Sequence, residues 1–114
     1  MTAFFLAVYQ TPTDAEAFDR HYREIHIPLA SRLPGLRRYT VSRDMTALRG
    51  EACHMVAELE WDTMDALRAA FASPAGRATA ADAAHLQELA PLHSMVFTAQ
   101  DASAPDPATA APGL

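Results

Sequence analysis

Lysine is missing altogether from these 114 residues, and all nine basic side chains are arginines. Against fourteen acidic residues they leave a net charge of -5. Phosphate binding needs a basic surface, so nucleic acid is excluded as a partner. Arginine without lysine, beside abundant alanine, reads as a G+C-rich coding sequence and not as function. Cysteine occurs once, at Cys53, which rules out an internal disulfide and any CxxC metal or redox motif. Four glycines make no phosphate-cradling loop and no dinucleotide fingerprint; no cofactor is expected. The apolar N-terminal run through Tyr9 has no basic residue and is far shorter than the ~20 residues that span a bilayer. No membrane is expected, and a cytoplasmic location is the simplest reading.

Half of the residues are apolar and a fifth are charged. That is enough to bury a core within one domain. Residues 3–10 read as a strand ending at Thr11-Pro12-Thr13. Thr13 and Glu16 have capping-box spacing, so a helix should start near Asp14. Phe18, Tyr22, Ile25 and Leu29 line one face of it, while Glu16–Arg20, Asp19–Arg23 and Arg20–Glu24 are i,i+4 pairs on the solvated side. Pro28 should break or kink this helix, and Pro34-Gly35 should stop the turn that follows. Strands are expected over 36–43 and 52–61. A helix should begin after Asp62 or Thr63 and restart at Ser73-Pro74, where serine caps and proline takes the first helical position. It runs to about Leu89, and a last strand covers 92–99. Residues 1–100 form the domain; 101–114, rich in proline and alanine, read as a disordered tail.

The order β-α-β-β-α-β is the α+β, ferredoxin-like arrangement, a four-stranded antiparallel sheet with helices on one face. Its other face, about 400 Å² by strand geometry, is covered by nothing in the chain. Both faces of strand one are apolar, Phe4, Leu6 and Val8 against Phe5, Ala7 and Tyr9. An apolar patch of that size calls for a partner. A homodimer joined through the open sheet face is therefore expected.

The stretch Phe18-Asp19-Arg20-His21-Tyr22-Arg23-Glu24-Ile25-His26-Ile27-Pro28-Leu29, followed by Leu33-Pro34-Gly35-Leu36-Arg37-Arg38-Tyr39, resembles the signature of the EthD family. Tyr9 and Pro12 also fit, and weaker similarity runs from about residue 3 to 99. The resemblance implies a dimeric α+β barrel and an association with oxidative breakdown of small organic molecules. Relatives act as cofactor-free dehydratases or cyclases, and the family's customary label is oxidoreductase. It implies no particular substrate.

His26 matches the histidine of the family's H-x-P-L motif and is the candidate catalytic residue. Near neutral pH an imidazole can move a proton; it could equally tie down backbone freed by Pro28. Tyr9, Tyr22, His54 and Phe97 are the candidate ligand-binding residues for a small apolar organic molecule, and packing alone would also account for the tyrosines. His21 and His26, five apart, point about 140° from each other on an α-helix. His54 and His93 are expected on strands separated by strand one, about 10 Å apart. Neither pair makes a metal site, so none is expected. Glu58, Cys53 and His85 read as an edge carboxylate, an inert thiol and a surface residue. Three readings stand, and the first two are a cofactor-independent enzyme with His26 in proton transfer and a non-catalytic accessory protein that holds such a molecule for an oxidative pathway. A purely structural dimer, its inter-sheet space filled, is the third.

Overall fold

The computed structural model describes residues 1–103. β1 (Ala3–Tyr9) leads into a helical stretch of three consecutive pieces: α1 (Ala15–His21), a π-helical turn (Tyr22–His26) and α2 (Ile27–Ala30). β2 (Arg38–Val41), β3 (Met55–Trp61), α3 (Met64–Ala72), α4 (Pro74–Leu89) and β4 (Leu92–Thr98) follow. The strands form one antiparallel sheet in the order β2-β3-β1-β4, the ferredoxin-like α+β arrangement. The expected tail over 101–114 lies outside the described residues from position 104 onward.

The first helix departs from expectation in two places. Its cap is Asp14 and not Thr13: Asp14 is extended and its carboxylate accepts the Ala17 N–H at 3.1 Å. Thr13 is engaged elsewhere, donating its backbone N–H to the Leu89 carbonyl at the end of α4. At Pro28, where a break or kink was expected, the helical stretch continues through a widened turn. Just before the proline, the Ile27 N–H reaches back five residues to the Tyr22 carbonyl, the mark of one extra residue in the turn. Pro28 then falls in the first turn of α2, where its missing N–H costs little. The stretch ends at the Pro34-Gly35 turn. Gly35 has φ +72, a conformation side-chain-bearing residues resist, and the Trp61 indole N–H donates to the Pro34 carbonyl at 2.9 Å.

β2 and β3 are shorter than expected: only Arg38–Val41 of the first pairs with β3, and β3 pairs with β1 from Met55 to Trp61. The loop between them turns through Asp44 and Gly50, both at positive φ. Cys53 and His54 therefore precede β3, although the His54 N–H still donates to the Tyr9 carbonyl at 2.8 Å. Asp19 does not serve Arg23; its carboxylate takes the His54 ring at 2.7 Å. The second half matches its sequence closely. Thr63 caps α3, and Ser73 caps α4 with Pro74 in its first turn.

Strand alternation divides the sheet's side chains between two faces. Ala3, Ala7, Tyr9, Ala57, Leu59 and Trp61 are buried in the core with Phe18, Tyr22, Leu67 and Leu86 from the helices. Phe4, Leu6 and Val8 point the other way and stay half-buried. Beside them on β4, Met95 and Phe97 are exposed, with Phe97 stacked on Phe4 at 5.4 Å. Across β3 the open face turns polar, since Leu6 lies between Met95 and Glu58 in the register.

Candidate functional site

A cavity of about 270 Å³ lies between the helix-bearing face of the sheet and α4. Small side chains create it. Ala7 and Ala57, register partners on neighbouring strands, form the floor. Ala80, Ala83 and Ala84 of α4 form the roof, so neither layer fills the gap. Phe5, Leu59, Phe71 and Leu92 keep the walls apolar. Among the described residues the lining holds no arginine and no carboxylate. Its hydrogen-bonding groups are mainly three tyrosines and one histidine, with Ser94 and Gln87 on β4 and α4. Thr79 is already engaged, its hydroxyl donating to the Ala75 carbonyl at 2.8 Å.

Three of the five residues singled out in the sequence meet on this cavity: Tyr9, Tyr22 and His26. Tyr9 is 1 % exposed and packs edge-on against Phe18 and Tyr22. Its hydroxyl has no hydrogen-bond partner among the described residues. Among the described residues no fully enclosed side-chain polar atom is left unpaired, so this hydroxyl opens onto the cavity. The Tyr22 hydroxyl shares a 2.6 Å hydrogen bond with that of Tyr39 on β2, a residue not singled out beforehand. One hydroxyl of such a pair donates to the other, which leaves one O–H free to donate. Burial, and then the neighbouring Tyr39, raise Tyr9 and Tyr22 well above the usual phenol range. Burial pushes Tyr39 up to about 12. All three therefore remain protonated donors at neutral pH.

The other two candidates lie elsewhere. Phe97 is on the opposite face of the sheet, as strand alternation requires once Phe5, Ala7 and Tyr9 face the helices. His54 stands ahead of β3 with its ring committed to Asp19 and edge-on to Phe18. Of the remaining histidines, His85 is exposed, and His93 is exposed opposite Val8 on the open face.

His26 is 6 % exposed. Its Nδ1 lies 2.8 Å from Oδ2 of Asp82 on α4, and Nε2 of His21 lies 2.7 Å from Oδ1 of the same carboxylate. The expectation that His21 and His26 diverge by about 140° is thus overturned. That angle assumed 3.6 residues per turn, and the π turn inserts one more, which brings residues five apart onto one side. Burial alone would raise the Asp82 carboxyl, but ring hydrogen bonds from His21 and then His26 outweigh it and hold it below its ordinary value. An ionised carboxylate only accepts, so both rings donate. His26 is therefore the Nδ1–H tautomer, with its Nε2 lone pair left over. That atom has no partner among the described residues, and it too cannot be sealed, so it faces the cavity. Burial lowers the His26 pKa, with Asp82 opposing, and leaves a neutral base at neutral pH. Asp82 was not found from the sequence. The one available signal is an acid inside an alanine run, four residues before buried Leu86.

The profile of the EthD domain matches residues 10–90. The chain belongs to the EthD domain family. The solved structure of an ethyl tert-butyl ether D (EthD) family protein from Bacillus halodurans matches with a TM-score of 0.79 at 31% identity, covering 88% of this chain and 100% of that one. An uncharacterized 11.0 kDa protein from the thcB-thcC intergenic region of Rhodococcus erythropolis is 34% identical over 79 residues, 68% of this chain and 77% of that protein. SnoaB, a cofactor-independent oxygenase from Streptomyces nogalater, shares the fold at a TM-score of 0.66 and 23% identity, over 88% and 94% of the two chains. Dimeric ferredoxin-like proteins stand among the other structural matches. Among this EthD-family chain's described residues, no helix is long and apolar enough to cross a membrane, and no cluster of three or more His, Cys, Asp or Glu could hold a metal ion.

Buried His26 and half-buried Asp82 make this EthD domain acid-sensitive in two stages. His26 binds its proton less tightly folded than unfolded, so below its unfolded value of about 6.5 the unfolded chain holds the extra proton. Stability therefore starts to fall as the pH drops through about 6.5. Asp82 is held below its ordinary value; its contribution is complete above an unfolded value of about 4 and is lost as the pH falls through its folded value. Melting temperatures from pH 7.5 to 3 should decline from about pH 6.5 and steepen below about 4. A flat profile between pH 7 and 5 would contradict a buried, neutral His26.

Proposed function

We propose that the protein is a cofactor-independent proton-transfer enzyme for a small, mostly apolar, oxygenated organic molecule, with His26 as its base. One observation carries this reading: a buried imidazole, anchored through Nδ1, turns its free Nε2 onto an apolar cavity whose other deep polar groups are tyrosine hydroxyls. Without arginine in the lining, an anionic ligand would lack a counter-charge, so the ligand oxygen is a neutral carbonyl or hydroxyl. A dry cavity of ~150 Å³ admits benzene; one of about 270 Å³ has room for a substituted or fused ring. In the step that fits these groups, a C–H bond next to a carbonyl breaks and its proton passes to Nε2. The electron pair moves onto the carbonyl oxygen, where a Tyr9 or Tyr22/Tyr39 O–H donates to it. Reprotonation by His26 returns the base. SnoaB, described as a cofactor-independent oxygenase, is consistent with a fold of this kind working without a cofactor.

The enzyme is further read as a homodimer through the open sheet face. Phe4, Leu6 and Val8 lie half-buried beside exposed Met95 and Phe97, a continuous apolar patch that a second copy would cover.

Proton transfer can be read without the natural substrate, as deuterium exchange at the α-carbon of 2-tetralone in D₂O. The wild type should catalyse exchange, and His26→Ala should slow it by about 10²-fold or more. Tyr39→Phe should slow it by about 10²-fold while the ketone still binds. Exchange by His26→Ala at the wild-type rate would remove His26 from the reaction. For assembly, sedimentation equilibrium should show a dimer at micromolar concentration, weakened at least about tenfold by Met95→Glu, since a charge would be buried in the interface. A wild-type monomer would contradict the open-face dimer.

A further inference from the structure

The carboxylate behind His26 is shared, and the sharing has a consequence for the base. A single aspartate behind a histidine orients the ring and strengthens its hold on a proton, because the negative charge favours the imidazolium. Here Asp82 accepts from two rings at nearly equal lengths, 2.8 Å from His26 and 2.7 Å from His21. The His21 hydrogen bond takes up part of the carboxylate's charge.

We propose that Asp82 is the positioning residue of His26, fixing Nδ1–H inward and the Nε2 lone pair on the cavity, and that His21, by sharing Asp82, keeps His26 from holding its proton too tightly to return it. The catalytic meaning rests on His26 being the base; the arrangement of protons does not. The geometry provides for both parts. The π turn puts the two rings on one side of the helix, and Asp82 meets them from α4, its side chain only 11% exposed. The other groups around His26 are neutral hydroxyls: Tyr22 from its own helix, with ring centroids 5.0 Å apart, Tyr9 from β1 and Tyr39 from β2. Beyond His21 stands His85 of α4, its ring 4.8 Å from that of His21 and its Nδ1 3.8 Å from Glu88. Asp82 is therefore the nearest carboxylate to His26, and His21 is its only other ring partner among the described residues. A general base works best when its proton affinity lies near the operating pH, and a shared carboxylate moderates that affinity without loosening the ring.

The test is ¹⁵N NMR of the histidine rings in the labelled full chain, which needs no substrate. At neutral pH the wild type should show His26 protonated on Nδ1 and bare on Nε2, the reverse of the form free histidine prefers. In Asp82→Asn the amide offers one acceptor and one donor, so the rings cannot both donate, and one of the two, His26 or His21, should change to the tautomer that accepts. His21→Leu leaves Asp82 to His26 alone and should raise the His26 midpoint by about one pH unit. His21→Gln, which can donate to Oδ1 again, should bring it back toward the wild type. A wild-type His26 already protonated on Nε2, or a midpoint unmoved in His21→Leu, would overturn the proposal. If Asp82→Asn fails to fold, the wild-type tautomer and the His21 pair decide. Failure of ketone exchange with these ring states in place would sink the base and spare the positioning; exchange with the ring states wrong would do the opposite.

Discussion

One extra residue in a helical turn organises this protein's candidate site. Proline at position 28 cannot donate to the turn before it, and the chain answers by widening that turn, so that Ile27 bonds to Tyr22 five residues back. Without the widening, His21 would rotate away from His26. With it, the two imidazoles come to the same side of the helix, and the second crossover helix supplies the carboxylate that receives both. The proline thus shapes the site without touching a ligand, in keeping with the frequency of π turns at functional positions.

The cavity depends on a different economy, the repeated use of alanine. Ala7 and Ala57 face Ala80, Ala83 and Ala84 across the layer where a ferredoxin-like core would ordinarily be packed with larger side chains. Stability comes instead from aromatic packing to one side, where Tyr9, Phe18 and Tyr22 make a cluster with centroids 5.0 to 5.9 Å apart. The same cluster brings its hydroxyls to the cavity wall. Core and site are therefore continuous, and the polar groups inherit a low-dielectric setting in which a hydrogen bond to a developing charge counts for more than it would in water.

What could be read from the chain alone follows from what local signals encode. Ser73-Pro74 marks a helix start by chemistry confined to two residues, and the structure places it there. The strands over 3–10 and 52–61 were equally legible, and with them the antiparallel sheet and its bare face. Boundaries were less so: the capping box at Thr13 competed with Asp14, which holds the Ala17 N–H while Thr13 ties to Leu89. The site was half legible. Tyr9, Tyr22 and His26 came from strand end, helix face and motif. Phe97 and His54 required knowing which sheet face carries the cavity and where β3 begins. Asp82 and Tyr39 are long-range partners, 56 and 17 residues from the groups they bond, and no local pattern announces them. The His21–His26 angle failed for a sharper reason, since fixed helical periodicity has no place for an inserted residue.

A half-buried carboxylate holds His26 with a bare nitrogen toward an apolar cavity. Neutron diffraction from a perdeuterated crystal near neutral pH would test it most directly, because deuterium positions are seen there instead of inferred. Deuterium should appear on Nδ1 of His26 and on Nε2 of His21, both directed at Asp82, with none on Nε2 of His26 or on the carboxylate. Deuterium on Nε2 of His26, or a regular α-helical turn that carries His21 away from Asp82, would contradict it.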